Sequence, residues 1–221
     1  MDHQILLAIF PQVLLDGVIL GFMYALIALG YTMVYGVLEF INFAHSEIFI
    51  FGAFVGVEIL LGLKAAGLLD TLSPFLVLAF LLLAGMLASG LLAVAVERIA
   101  YRPLRGAPRL IPLISAIGVS FFLQDAIRLF ESIWRNEFNL VYPTMDQLNR
   151  RFTLTETLDV SVKSLVVIVA AILMLWVLHL FVNRTKIGTA IRGVAEDQAA
   201  ASVMGINVNR MISLTFLIGG S

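Results

Sequence analysis

The chain contains no cysteine. Disulfides, thiolate metal sites and thiol nucleophiles are therefore excluded, although this says nothing about compartment. Charge is scarce as well: Asp, Glu, Lys and Arg make up 13% of the 221 residues, and the formal net charge is -1. A soluble domain carries about 25% charged residues, and a nucleic-acid partner calls for a basic surface that this balance does not supply. The only histidines, His3, His45 and His179, stand far apart, and none sits in HExxH or a related ligand spacing. No metal site is expected. The chain also lacks a GxSxG nucleophile elbow and a GxxxxGK[ST] phosphate loop, so it does not hydrolyse ATP by that route. At the N-terminus, MDHQILLAIFPQ has no basic region of the kind that opens a cleavable signal.

What is present is apolar. Hydrophobic residues make up 61% of the chain and the mean hydropathy is +1.01. Several runs exceed the ~18 apolar residues that a spanning helix needs. The fold class is therefore all-α, a polytopic transmembrane helix bundle. Five spans are predicted, at residues 12–38, 48–69, 74–96, 110–130 and 164–182. The first would be roughly 40 Å long at 1.5 Å per residue, so it tilts, kinks or protrudes from a ~30 Å core. Gly17, Gly21, Ala25, Ala28, Thr32 and Gly36 place small residues along one of its faces, and Gly52 and Gly56 do so in the second span. Such stripes let helix backbones approach closely. A sixth span starts near Met211, and the residues up to Ser221 cover only about 17 Å. The expectation is a single transmembrane domain over 1–221 that is incomplete at its C-terminal end.

Basic residues orient the spans. Arg98, Arg102, Arg105 and Arg109 share one short loop, and Arg184, Lys186, Arg192 and Arg210 flank or occupy a second polar insert. Both segments are expected on the cytoplasmic side, and their separation by two spans agrees in parity. The longer loop 131–163 mixes four basic residues with five acids and is expected outside. Inside the spans, Glu58 is a possible functional polar site because a charge at that depth costs at least a few kcal/mol; a partnered structural glutamate is the plainer reading. Lys64 can snorkel to the surface. Asp125 and Arg128 can pair at i,i+3.

Two polar segments stand out. EFINFAHSE, residues 39–47, lies between the first two spans and has no Lys or Arg. Asn42, His45, Ser46 and Glu47 put several donors and acceptors beside hydrophobic helices. Polar backbone at membrane depth is tolerated where protein buries it or where it lines a water-filled cavity. The segment therefore reads either as part of a permeation pathway or as a solvated turn with Asn42 or Ser46 as a helix cap. The second segment, TKIGTAIRGVAEDQAAASVMGINVNR at 185–210, has Ile187, Ile191, Val194 and Ala195 on one helical face. That face lapses at Asp197 and Gln198. A second apolar cluster follows at Ala200, Val203 and Met204, with Gly205 placed for a left-handed cap. Two short amphipathic helices at an angle are predicted. They rest on lipid headgroups or dock a cytoplasmic partner, and Arg192 and Glu196 form an i,i+4 pair between them.

Three motifs together resemble the membrane permeases of bacterial ABC importers for branched-chain amino acids, LivH type. They are GVLEFINFAHSEIFIFGAF at 36–54, ERIAYRPLRGAPRLIPLISAIGVSFFLQ at 97–124 and TKIGTAIRGVAEDQAAASVMGINVNRMISLTF at 185–216. The resemblance covers nearly the whole chain in order, spacing and hydropathy. It implies that residues 190–205 form the coupling region on the ATP-binding subunit, with Arg192, Glu196, Asp197, Ala199, Ala200, Met204 and Gly205 as contacts. It also implies that Asn42, Phe43, His45, Ser46 and Glu47 lie near the translocation route. Where the family shows glycine after the histidine, this chain has Ser46, with less backbone freedom. Family members also continue beyond the equivalent of Ser221.

The implied protein is a non-enzymatic, multi-pass subunit of the bacterial inner membrane. It would work with a second permease subunit, cytoplasmic ATP-binding subunits and an external solute-binding protein, and need no cofactor of its own. Related importers for urea or short amides share these motifs. An ion-coupled secondary transporter, with Glu58 as the coupling acid, is the reading from another class.

Overall fold

In hydrocarbon every backbone N–H and C=O has to be satisfied within its own segment, so long apolar runs fold as helices. The computed structural model describes residues 3–69, 71–108, 110–135, 151–155 and 158–221. Among them, five helices are long and apolar enough to cross a membrane: α1 (His3–Leu38), α2 (His45–Ala65), α3 (Pro74–Val96), α4 (Leu110–Arg135) and α5 (Val162–Arg184). Three shorter helices follow, α6 (Lys186–Glu196), α7 (Gln198–Val203) and α8 (Val208–Gly220).

The all-α bundle and its five spans agree with the sequence, and α3 agrees to the residue. Ser73 caps it by accepting a hydrogen bond from Leu76 N (3.4 Å), and Pro74 stands at the first turn, where its missing N–H costs nothing. Elsewhere the helices outrun hydropathy. The first begins at His3 rather than residue 12 and carries Pro11 within it. The fourth extends to Arg135, because helical hydrogen bonding continues after the apolar run has ended. The second begins at His45 rather than 48, since the Asn42 side chain and carbonyl take up the N–H groups of Ala44 (3.2 Å) and His45 (3.2 Å).

The arginine-rich loop expected at 98–109 is helical through Leu104. A π-helical turn, Glu97–Tyr101, continues α3 and is followed by a 3-10 turn, Arg102–Leu104. The chain then reverses at Gly106, whose φ of 93° suits a residue without Cβ. Arg109 lies outside the described residues, as do 136–150 in the loop expected at 131–163. Two further stretches of that loop pair as antiparallel strands, β1 (Arg151–Thr155) and β2 (Leu158–Ser161), with Arg151 opposite Ser161 and residues 156–157 outside the described ones. Their β-branched residues, Thr153, Thr155 and Val160, favour a strand.

The chain divides into two compact units. The first comprises Met1–Ala28 and Thr144–Phe181. Here the side-chain carbonyl of Gln12 accepts the Asp159 N–H (2.9 Å), tying β2 to α1. The second comprises Leu29–Pro143 and Val182–Ser221 and holds α2, α3, α4, α6, α7, α8 and the end of α1. Its core includes Ile48, Leu60, Val77, Ala93, Tyr101, Ile191, Val194, Ile212 and Phe216. Helices α2 and α3 meet at small residues, with a Cβ on Gly52 lying 3.1 Å from Ser89 Cβ and 3.2 Å from the Gly85 carbonyl oxygen. The patch expected around Gly52 is therefore a contact. By contrast, a Cβ on Gly17, Gly21 or Gly36 would meet nothing within 4 Å, and the close glycine of α1 is Gly30. Spacing alone marks a stripe, whereas contact depends on which partner helix arrives.

Candidate functional site

The turn between α1 and α2 is sharp. Glu39 takes a φ of 58°, unusual for a residue with a side chain, and its N–H closes the helix on Tyr35 O (2.8 Å). The chain then runs inward. Asn42 (2% exposed), His45 (6%) and Glu47 (9%) are buried. Phe43 and Ser46 face outward, and the Ser46 hydroxyl donates to Phe43 O (3.3 Å). The structure brings these five residues into one turn and the first turn of α2, but points them in two directions. It also replaces the picture of a solvated cap. Asn42 does accept the Ala44 N–H, yet it is enclosed by protein.

The partner that encloses it is Tyr101, whose hydroxyl donates to Asn42 Oδ1 (2.7 Å). The Tyr101 ring packs edge-on against Phe40 (5.4 Å) and at a tilt against Phe216 (5.8 Å). Asn42 Nδ2 is buried with no acceptor among the described residues. His45 stacks edge-on against Tyr31 (5.7 Å) and covers Gly30, where a Cβ would lie 3.3 Å from His45 Cε1. Glu47 accepts a long hydrogen bond from the Ser120 hydroxyl (3.5 Å) on α4.

One helical turn before Tyr101, Glu97 is fully buried. It forms an ion pair with Arg105, and its other oxygen accepts the Ser213 hydroxyl (2.6 Å). Arg105 also donates to Asn209 Oδ1. Burial pulls the Arg105 guanidinium below its ordinary pKa while Glu97 opposes that shift, and an arginine stays cationic at neutral pH throughout. The cluster sets the arginine-rich segment beside the start of α8, which follows the polar insert. The two basic segments therefore lie on one side, as charge parity predicted.

That insert folds as two capped helices. Thr185 Oγ1 accepts the Gly188 N–H (2.9 Å) at α6, and Asp197 Oδ1 accepts Ala199 (2.8 Å) and Ala200 (2.9 Å) at α7. Asp197 breaks the helix because its φ of -154° and ψ of 108° are extended. Gly205, at φ 81°, closes α7 with Gly205 N to Ser202 O (3.0 Å) and Ile206 N to Ala201 O (3.0 Å), a Schellman cap. Ile191 and Val194 of the expected α6 face are buried, while Ile187 is exposed. The second apolar cluster faces away from the rest of the unit: Val203 is 86% and Met204 82% exposed. Arg192 and Glu196 do not pair, since Arg192 turns to Asn183 Oδ1 (3.3 Å). The Gln198 side chain reaches the end of α1, donating to Val37 O (3.0 Å).

Of the remaining candidates, Glu58 is half-buried in α2, Lys64 is exposed in its last turn, and Asp125 and Arg128 form an exposed pair (3.9 Å). Among the described residues no three His, Asp or Glu side chains gather as a metal site would require. Sequence reasoning missed Glu97, Tyr101, Ser213 and Asn209, and it read Arg105 only as a topological charge. The available signal was Glu97 itself, an acid at the end of an apolar run with an arginine within reach on the same segment.

The family described as branched-chain amino acid transport system, permease component, matches residues 13–221. The chain is 39% identical over 214 residues to the high-affinity branched-chain amino acid transport system permease protein BraD of Pseudomonas aeruginosa, covering 95% of this chain and 67% of that one. It is 37% identical to LivH of Salmonella typhimurium over 214 residues and 38% identical to LivH of Escherichia coli K12 over 216, covering 96% of this chain and 67% of each relative. No solved structure matches.

Proposed function

This chain belongs to the family of branched-chain amino acid transport permease components, and we propose that it is the permease subunit of an ATP-driven importer for branched-chain amino acids. It is a multi-pass protein of the bacterial inner membrane. The observation that carries the reading is the identity, across nearly the whole chain, with permeases of that transport class. The chain is read as one permease domain. A second permease subunit completes the pathway, cytoplasmic subunits bind and hydrolyse ATP, and an external receptor delivers the solute.

Two features support assigned roles within that scheme. The rigidly capped α6 and α7 present Val203 and Met204 to the outside, an apolar pair on a polar segment, which suits docking to an ATP-binding subunit. Ala199, Ala200, Glu196, Asp197 and Gly205 shape that surface. The turn at Asn42–His45 gathers polar groups at the cytoplasmic ends of apolar helices, which suits a gate on the route. Alternating access then follows from two conformations weighted differently by ATP subunits and loaded receptor.

Labelled leucine uptake by the complete importer, in cells without another branched-chain carrier, tests this reading. Saturable uptake that isoleucine and valine compete for and that requires the ATP-binding subunits is expected. Uptake of urea in place of leucine would move the substrate to the amide class. Uptake that persists without ATP-binding subunits and follows an ion gradient would overturn the importer reading.

A further inference from the structure

The π-helical turn Glu97–Tyr101 holds two hydrogen-bonded clusters on one short segment. Glu97 binds Arg105 and Ser213, and Arg105 binds Asn209. Ser213 and Asn209 belong to α8, which starts three residues after Gly205, the residue that closes α7. Tyr101, a helical turn further on, binds Asn42 in the α1–α2 turn. A displacement of α6 and α7 therefore reaches α8 through the four-residue connection 204–207, Glu97 through α8, and Asn42 through Tyr101.

We propose that Glu97 and Tyr101 are positioning residues that transmit movement of α6 and α7 to the Asn42 turn. Three observations point beyond simple packing. First, π-turns are rare and frequently fall at functional sites. Second, Asn42 Nδ2 and Arg105 Nε are both buried without an acceptor among the described residues, one in each cluster. A buried donor left unmatched raises the free energy of the arrangement that holds it. Third, Glu97 is fully enclosed, although nearby packed hydrophobic residues would serve stability as well or better.

The inference rests on the importer reading, and its test separates the two. The complete importer, with both permeases, the ATP-binding subunits and the receptor, is reconstituted in proteoliposomes. This subunit has no cysteine, so Ser46→Cys on the exposed side of the turn reports its accessibility to a maleimide with and without ATP. Tyr101→Phe removes one hydroxyl and keeps the ring against Phe40 and Phe216. ATP is expected to change the Ser46→Cys labelling rate by about fivefold or more in the otherwise native subunit, and by less than about twofold with Tyr101→Phe, while ATP hydrolysis changes by less than about twofold. Glu97→Gln should give the same loss, and the double variant no further loss, as expected of two residues in one relay. If Tyr101→Phe does not assemble, Ser213→Ala carries the same expectation at the other end. ATP-dependent labelling that survives these substitutions, or that is absent from the native subunit, would overturn the proposal. An ATP response that these substitutions abolish, in a complex that does not take up leucine, would support the relay and remove only the substrate assignment.

Discussion

Gly219 lies against Gly30 so closely that a Cβ on Gly219 would stand 2.8 Å from the Gly30 carbonyl oxygen and 3.0 Å from Val34 Cγ2. Helices α1 and α8 thus meet backbone to backbone, with His45 packed beside the contact. Gly220 is equally constrained, since its Cβ would fall 2.5 Å from Ala93 Cβ on α3. Small residues are what permit helices to pack at this distance in a membrane.

Gly219→Ala should therefore push α8 out of its groove and cost about 1–3 kcal/mol, the usual range for overpacking. Gly36→Ala is the control. It meets nothing within 4 Å, so it should gain about 0.5–1 kcal/mol of helix propensity. Thermal unfolding of the detergent-solubilised subunit measures both, and equal midpoints for the two variants would contradict the contact.

The outline of this molecule was legible from hydropathy, and the site only in part. Apolar run length located the five spans, and the lapse at Asp197 located the α6–α7 break, because both signals are local. The pairing of Tyr101 with Asn42 crosses 59 positions and leaves no periodic trace. The same is true of Ser213 on Glu97. The stripe containing Gly17 and Gly21 was visible, but spacing does not say which glycine meets a neighbour within the chain, since that is decided by tertiary packing. Hydropathy placed the end of α3 at Val96 but gave no sign of the π-turn that follows it through charged residues.

Breaking the buried ion pair should be worse than removing it. Arg105→Ala leaves Glu97 enclosed with only Ser213 as a partner, and a single-sided break costs about 3–5 kcal/mol. The double change Glu97→Gln with Arg105→Met leaves no bare charge and should recover most of that loss. Unfolding midpoints of the single and double variants decide the point, and a double variant less stable than Arg105→Ala would refute it.

At the α1–α2 turn, Asn42→Leu strips the acceptor from the Tyr101 hydroxyl and the Ala44 N–H together. A buried group left unpaired costs about 1–3 kcal/mol. Asn42→Ser should restore little, because a shorter side chain cannot span to Tyr101. His45→Leu loses an aromatic contact worth about 0.5–1.5 kcal/mol and should still assemble. If the turn forms a gate, leucine uptake falls in His45→Leu at an unchanged level of complex. Normal uptake in that variant would leave His45 as packing over Gly30 and nothing more.

The sidedness expected from the basic residues, with the arginine-rich segment cytoplasmic, can be read directly in a chain without cysteine. Arg102→Cys, exposed after α3, and Phe152→Cys, exposed on β1, are separated by the single span α4. Impermeant maleimide added to intact cells should label Phe152→Cys alone, and permeabilised cells should yield both. Labelling of Arg102→Cys from outside would reverse the orientation and take the coupling assignment with it.

The coupling surface gives the last expectation. Gly205 holds a left-handed conformation, and forcing a residue with a Cβ into it costs about 1–2 kcal/mol, more for a β-branched side chain. Gly205→Val should therefore tilt α7 and displace Met204 and Val203, the two apolar side chains it presents. Met204→Asp leaves the helix unchanged and alters only the surface, which separates shape from chemistry. Glu196→Arg reverses a charge that has no ion-pair partner within the described residues, so its effect reports on the partner protein rather than on folding. All three variants should insert into the membrane at normal levels and retain the second permease. Each should recover less ATP-binding subunit in affinity purification of the complex, with Met204→Asp losing the most, because burying a carboxylate at the centre of an apolar contact is the costliest of the three changes. Lys64→Gln, exposed at the opposite end of α2, should recover the full amount. Undiminished recovery for Met204→Asp would show that α7 lies outside the contact and return these helices to the lipid headgroups.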